Sequence, residues 1–167
     1  MNDVSRAMEI ILTYLLDKSG GKATFSDMYY MTRIPKRSLK KFLWYCQRRG
    51  LMRREIGIYY ITDDGRKAIS NVPMILVRNN IFIMNIDDKI HMITLGRKMR
   101  IREFDKEFLR EVMNRKCIPR NEIRNSPNRR MLMSAIRLFR LLKMARYRDE
   151  NICIEPKKEP LKKLRII

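Results

Sequence analysis

The residues best suited to chemistry lie in one stretch, residues 34–50, which reads IPKRSLKKFLWYCQRRG. The chemistry they offer is non-covalent. Ammonium and guanidinium groups neutralise phosphates, arginine pairs with guanine edges, and an indole ring stacks on bases or sugars. Pro35 suits the first turn of a helix, and Gly50 stops it. Stepping about 100° per residue along this helix puts Leu39, Phe42, Leu43 and Cys46 on one side. Arg37, Lys40, Lys41, Trp44, Gln47 and Arg48 fall on the opposite side. Trp44 therefore sits among the charges, and Cys46 is a small buried hydrophobe. On this reading Lys36 and Arg37 stand near the helix start, where Arg37 can meet a base edge. Lys40, Lys41 and Arg48 hold phosphates, and Trp44 lies against a base, a sugar or an arginine. Arg53 and Arg54 follow just downstream and can reach the backbone next door. The plainer alternative is a solvated basic face, with Trp44 packed on a neighbouring domain.

Other chemistry is sparse. His91 is the only histidine and falls in a β-rich run, where packing or simple exposure explains it better than catalysis. No CxxC or HxxxH spacing suggests zinc, and no glycine-rich phosphate loop occurs. The paired acids Asp63-Asp64 and Asp87-Asp88 sit at expected turns, where aspartate is common. A metal-dependent nuclease would need such acids to converge. The expectation is a non-enzymatic protein with no catalytic residue, no cofactor and no metal.

Composition points the same way. The chain has 38 Lys and Arg against 18 Asp and Glu, a net charge of +20, and a pI near 10.4. Both halves are positive, +7 for residues 1–72 and +13 for residues 73–167. Such an excess favours polyanions, nucleic acid first and an acidic membrane surface second. With 45% hydrophobic residues the chain can still bury a core. Asp3, Arg6, Glu9 and Asp17 interrupt any leader-like apolar run, and no stretch is long and apolar enough for a bilayer span. Cys46, Cys117 and Cys153 are odd in number and widely separated, so free thiols in a reducing cytoplasm are expected.

The elements that must position the basic helix follow from periodicity and breakers. A helix is predicted over 4–17, stopped by Gly20-Gly21, then a short extended piece over 22–25. A short helix with its cap at Ser26-Asp27 runs to Met31. After the basic helix, strands at 51–55 and 58–62 flank an Ile56-Gly57 turn, and a short helix covers 66–71. A hairpin is expected over 81–95, with a further strand over 98–102 and a helix over 105–116. An echo then appears. Ser126-Pro127-Asn128-Arg129-Arg130-Met131 repeats the pattern of Ile34-Pro35-Lys36-Arg37-Ser38-Leu39 at an offset of 92 residues. A long helix and a strand–turn–strand follow in both places, and Ile123 aligns with Met31 in a short preceding helix. At that offset Met131, Ala135 and Leu138 continue the core stripe. Leu132, Met133 and Ile136 replace Lys40, Lys41 and Trp44 on the exposed side. An exposed apolar patch of that kind suits a protein contact.

The order helix, short strand, helix, helix, hairpin over residues 4–71 resembles the winged-helix family of helix-turn-helix domains. The resemblance implies an α+β fold in which helix 35–49 enters the DNA major groove. The 51–62 hairpin then acts as a wing on the flanking backbone. The layout expected is a winged-helix domain over 1–72, a β-hairpin connector over 73–103, a second, degenerate winged helix over 104–156 and an extended basic tail over 157–167. The implied function is transcriptional regulation through double-stranded DNA, with RNA open as another target and no membrane partner. A homodimer or protein partner would dock on the C-terminal domain. Alternatives are an architectural or packaging protein and a tandem winged-helix replication initiator. Gln47 is the only glutamine. Its rarity, with abundant charge and Ile/Met, fits a thermophile; the resemblance implies an archaeal or archaeal-virus regulator, acting in the host cytoplasm or virion.

Overall fold

The computed structural model describes residues 3–167, a mixed α+β chain. Its first seven elements are α1 (Asp3–Lys18), β1 (Lys22–Thr24), α2 (Phe25–Thr32), α3 (Lys36–Arg48), β2 (Met52–Glu55), β3 (Ile58–Ile61) and α4 (Asp63–Ser70). The three strands pair antiparallel in the order β1-β3-β2. Local sequence sets each boundary. Thr24 caps α2 in a reciprocal box: its hydroxyl accepts from the Asp27 N–H at 3.1 Å, and its own N–H donates to the Asp27 carboxylate at 3.0 Å. The cap is thus Thr24, two residues before the Ser26-Asp27 start expected from sequence. Thr62 caps α4 through the Gly65 N–H, so that helix begins at Asp63 rather than Arg66. Gly65 is required there, because a Cβ would lie 2.2 Å from the Leu51 carbonyl oxygen.

Next come four strands, β4 (Met74–Val77), β5 (Ile81–Ile86), β6 (Lys89–Thr94) and β7 (Arg100–Asp105), in one antiparallel sheet ordered β4-β5-β6-β7. The expected hairpin connector is therefore a complete sheet. All six residues of β5 are buried, so both faces are covered. Phe82, Met84 and Ile86 join the N-terminal core, whereas Ile81 and Ile83 join a second core built with the C-terminal region. Alternating side chains on one strand thus serve two different cores.

The C-terminal elements are α5 (Lys106–Asn114), β8 (Cys117–Pro119), α6 (Arg120–Arg124), α7 (Arg129–Leu141), β9 (Ala145–Arg148), β10 (Asn151–Ile154) and α8 (Lys158–Lys163). Their order repeats the first seven, and their sheet order β8-β10-β9 matches β1-β3-β2. Backbone hydrogen bonds repeat too. Leu51 N–H to Cys46 carbonyl is matched by Met144 to Phe139, Thr62 to Leu51 by Glu155 to Met144, and Ile61 to Gly21 by Ile154 to Lys116. The same arrangement of seven elements thus stands on either side of a shared sheet.

Two expectations fail here. The 157–167 segment is not an extended arm. It contains α8, and Leu161, Leu164 and Ile166 are buried in the second core. The buried Asn85 amide donates to the Leu164 carbonyl at 2.8 Å, and Arg110 donates twice to the Ile166 carbonyl. Cys117 and Cys153 are not free thiols. They lie directly opposite in the β8–β10 ladder and form a disulfide spanning 36 residues. The inference from free thiols to a reducing compartment falls with them. Cys46 does remain a buried free thiol.

Because Phe82 is fully buried, Phe82→Ala should cost about 3–5 kcal/mol in denaturant titration. Both halves should unfold in a single transition by hydrogen exchange. Separate transitions for residues 3–70 and 106–166 would contradict the shared-sheet account.

Candidate nucleic-acid interface

The basic helix α3 is fixed on its inner side first. Leu39, Phe42, Leu43 and Cys46 are all buried, as their spacing predicts. Thr32 ties the preceding turn: its hydroxyl donates to the Met28 carbonyl and accepts from the Ile34 N–H. At the far end Arg49 makes an ion pair with Glu9 of α1, whose side chain is only 1% exposed. The Ser5 hydroxyl lies 3.3 Å from the other Glu9 oxygen. The Cys46 thiol points at the Glu9 carbonyl 3.7 Å away. Burial, with the Glu9 charge adding to it, pushes the Cys46 pKa up to about 12.

The outer side of α3 carries the residues the periodicity placed there, all exposed but Gln47, which is half-buried. Lys36, Arg37, Lys40, Lys41, Trp44 and Arg48 are all exposed, and α3 contains no acidic residue. Trp44 is 52% exposed, so it does not pack into a neighbouring unit. Its ring meets Tyr45 edge-on, and the Arg48 guanidinium lies 5.1 Å from its centre. Lys36 lies over Tyr29 and Lys40 over Phe25, both contributed by α2. Next to them, Arg33 covers Tyr30, itself 64% exposed. These α2 aromatics were not singled out from sequence, because FSDMYYMT reads as core filling until the helix is oriented. On the hairpin, Arg53 sits over Tyr60 and Arg54 over Tyr59. Adjacent strand residues point to opposite faces, so Arg53 and Arg54 do not share one surface. Arg53 is also paired with Glu55 at 3.2 Å. The hairpin tip is Ile56, fully exposed, at φ 47° beside Gly57 at φ 74°.

The second copy corrects the sequence reading. Its helix α7 aligns with α3 at 93 residues, not 92, since Leu39, Phe42, Leu43 and Cys46 match the buried Leu132, Ala135, Ile136 and Phe139. Leu132 is 6% exposed and Ile136 2%, so neither belongs to an exposed patch. Of the expected protein-contact residues only Met133 is exposed, at 43%. Met131, assigned to the core stripe, is 41% exposed instead. Ile123 matches the buried Met28 rather than Met31. One residue of slip rotates a helix about 100°, which exchanged the inner and outer faces. A signal for the right register was present: the slipped alignment opposes Phe42 with Ser134. At the observed register, Lys36, Arg37, Trp44 and Gln47 correspond to Arg129, Arg130, Arg137 and Arg140, all exposed. The outer face of α7 is arginine-rich, not apolar.

The remaining candidates are accounted for structurally. Asp87 and Asp88 form the β5–β6 turn at positive φ and pair with Arg6 and Lys106. Asp63 and Asp64 open α4, where acids suit the helix start. His91 is fully buried, with Nε2 3.7 Å from a Glu103 oxygen. Among the described residues no group of three His, Cys, Asp or Glu is placed to hold a metal. Among the same residues no helix is long and apolar enough to cross a membrane.

No family model, no curated protein and no solved structure matches this chain. Geometry and charge therefore carry the functional argument.

Two outcomes test how α3 is held. Arg49→Ala leaves the Glu9 carboxylate buried without its partner and should cost on the order of 2–3 kcal/mol in denaturant titration, less than a fully buried pair because Arg49 is half open to water. Cys46 should resist a thiol-reactive disulfide reagent in the folded state, while the unfolded chain reacts readily. The folded thiol keeps its proton to about 12, and the unfolded thiol releases it near 9.0. Unfolding thus releases a proton in that window, and this contribution to stability falls as pH rises above 9.

Proposed function

We propose that this chain is a double-stranded DNA-binding protein whose two copies are winged helices, with α3 as the recognition helix and the β2–β3 hairpin as its wing. The observation that carries the proposal is the division of α3 itself. One side is entirely buried, while the other presents Lys36, Arg37, Lys40, Lys41, Trp44 and Arg48 to solvent without an acid among them. A solvated face needs no exposed tryptophan. A helix lying in a major groove uses one, with basic residues on either side to reach both phosphate walls. Arg37, in the first turn, is placed for a base edge, and Lys40 and Lys41 for phosphates. The α2 aromatics Tyr29 and Tyr30 add apolar surface on the same flank. Arg53 on the wing is placed to touch the adjacent backbone only after leaving Glu55.

A transcriptional regulator is the reading favoured for this DNA binder. The repeated arrangement of elements favours one alternative, a tandem winged-helix replication initiator. A genomic binding profile separates them: dispersed promoter sites support a regulator, one cluster of repeated sites an initiator, and uniform coverage a packaging protein. Leu132 and Ile136 are buried, so a homodimer or protein partner would not dock through them.

Binding measured across a salt series tests the face. Lys40→Ala and Lys41→Ala should each weaken duplex binding and lower the salt slope by about 0.9. Arg37→Ala should cost about 1–3 kcal/mol on the preferred site and relax its specificity. Unchanged duplex affinity in Lys40→Ala, Lys41→Ala and Trp44→Ala together would sink the assignment of α3.

A further inference from the structure

The outer face of α7 does not stand free as that of α3 does. It forms one wall of a groove of about 360 Å³ whose other wall is β7 of the central sheet. Arg137 and Arg140 project from α7, Arg100 and Arg102 from β7, and Tyr147 of β9 closes one end. Past Tyr147 and Met133, which line both, lies a second groove of about 240 Å³ flanked by Arg120, Arg124 and Arg129. Neither groove is lined by an acid. Among the described residues none of these seven guanidiniums meets a carboxylate, whereas Arg146 and Arg148 on the same hairpin both pair with Glu155. Tyr147 is 44% exposed, and its ring centre lies 4.3 Å from the Arg120 guanidinium and 5.0 Å from that of Arg140, which also donates to its hydroxyl at 3.4 Å.

Unpaired like charges this close repel one another, so the arrangement favours an anion that threads between them. Its length, over two connected grooves, fits consecutive phosphates of a chain rather than one compact anion. Its concavity argues against a duplex. The major groove, about 12 Å wide, admits a helix but not a helix with a sheet edge beside it. A basic groove with an aromatic platform is how single strands are held.

We propose that the α7–β7 groove binds a single nucleic-acid strand, with its phosphates between the β7 and α7 arginines and a base on Tyr147. The chain then has two unlike nucleic-acid surfaces, a duplex-facing α3 and a strand-holding α7. The second half of this statement rests on the proposed function; the groove itself does not.

The test uses the full chain, with fluorescence anisotropy of a labelled oligothymidylate and of a labelled random duplex at fixed salt. Arg102 and Arg137 are exposed, so Arg102→Ala/Arg137→Ala is expected to fold, checked by thermal melting. It should lose about tenfold or more in oligothymidylate affinity and stay within about twofold on duplex. Tyr147→Ala should lose about tenfold on the oligothymidylate, and Tyr147→Phe should recover it, because stacking needs the ring and not the hydroxyl. Lys40→Ala/Lys41→Ala should do the reverse, weakening duplex and sparing the single strand. If the Arg102/Arg137 variant loses duplex and single strand alike, or loses only duplex, α7 is a second duplex surface and the proposal is wrong. Unchanged oligothymidylate binding in that variant overturns it as well. If only Lys40→Ala/Lys41→Ala is silent on both probes, the α3 reading fails while the groove stands.

Discussion

Everything in this molecule depends on a four-stranded sheet whose inner strand β5 has no solvent face. β5 is buried at all six positions, and the alternation of its side chains sends Phe82, Met84 and Ile86 one way and Ile81 and Ile83 the other. Sheets with helices on both faces are usually parallel. Here an antiparallel meander takes that place because a repeated arrangement supplies a cover for each side. Neither copy has a closed core without this sheet. α1, which lies beneath α3, packs its Tyr14 ring edge-on against Phe82. The position of the basic helix is therefore inherited from the sheet through α1 and the Glu9–Arg49 contact.

The N-terminal unit was legible in the sequence because its signals are local. The stripe Leu39, Phe42, Leu43, Cys46 determines how α3 rolls, and the placement of Trp44 among charges follows from that alone. Turn chemistry at Ile56-Gly57 and the stop at Gly50 set the hairpin. What could not be read was non-local. Cys117 and Cys153 are distant in sequence and adjacent only because β8 and β10 pair in that register. Residues 157–167 look like a solvated tail because Lys and Pro dominate, but Leu161, Leu164 and Ile166 fill a pocket that exists only once β5 and α5 are in place.

The slip in the repeat is the most instructive failure. α6 is shorter than α2, so the offset between copies changes from 95 residues at the first strand to 93 at the long helix. A single assumed offset was bound to miss one of them. The cost of a one-residue error differs by element. In a strand it swaps the two faces, and in a helix it turns the stripe by about 100°. That turn made a basic face look apolar and a core look like a docking patch. The paired backbone bonds Leu51–Cys46 and Met144–Phe139 settle the register, since hydrogen bonds at a helix exit leave no freedom to slide.

The shared sheet also has a consequence in time. A chain leaves the ribosome from its N-terminus, and domains generally fold as units as they emerge. The first copy emerges with Tyr14 facing a sheet that has not yet been made. The sheet emerges next, with Ile81, Ile83 and Phe104 bare until α5 through α8 follow. Each third of the protein waits for the next, and the last apolar surface closes only when Ile166 reaches Arg110. During synthesis this strongly basic chain therefore carries an uncovered apolar face until Leu161, Leu164 and Ile166 are in place.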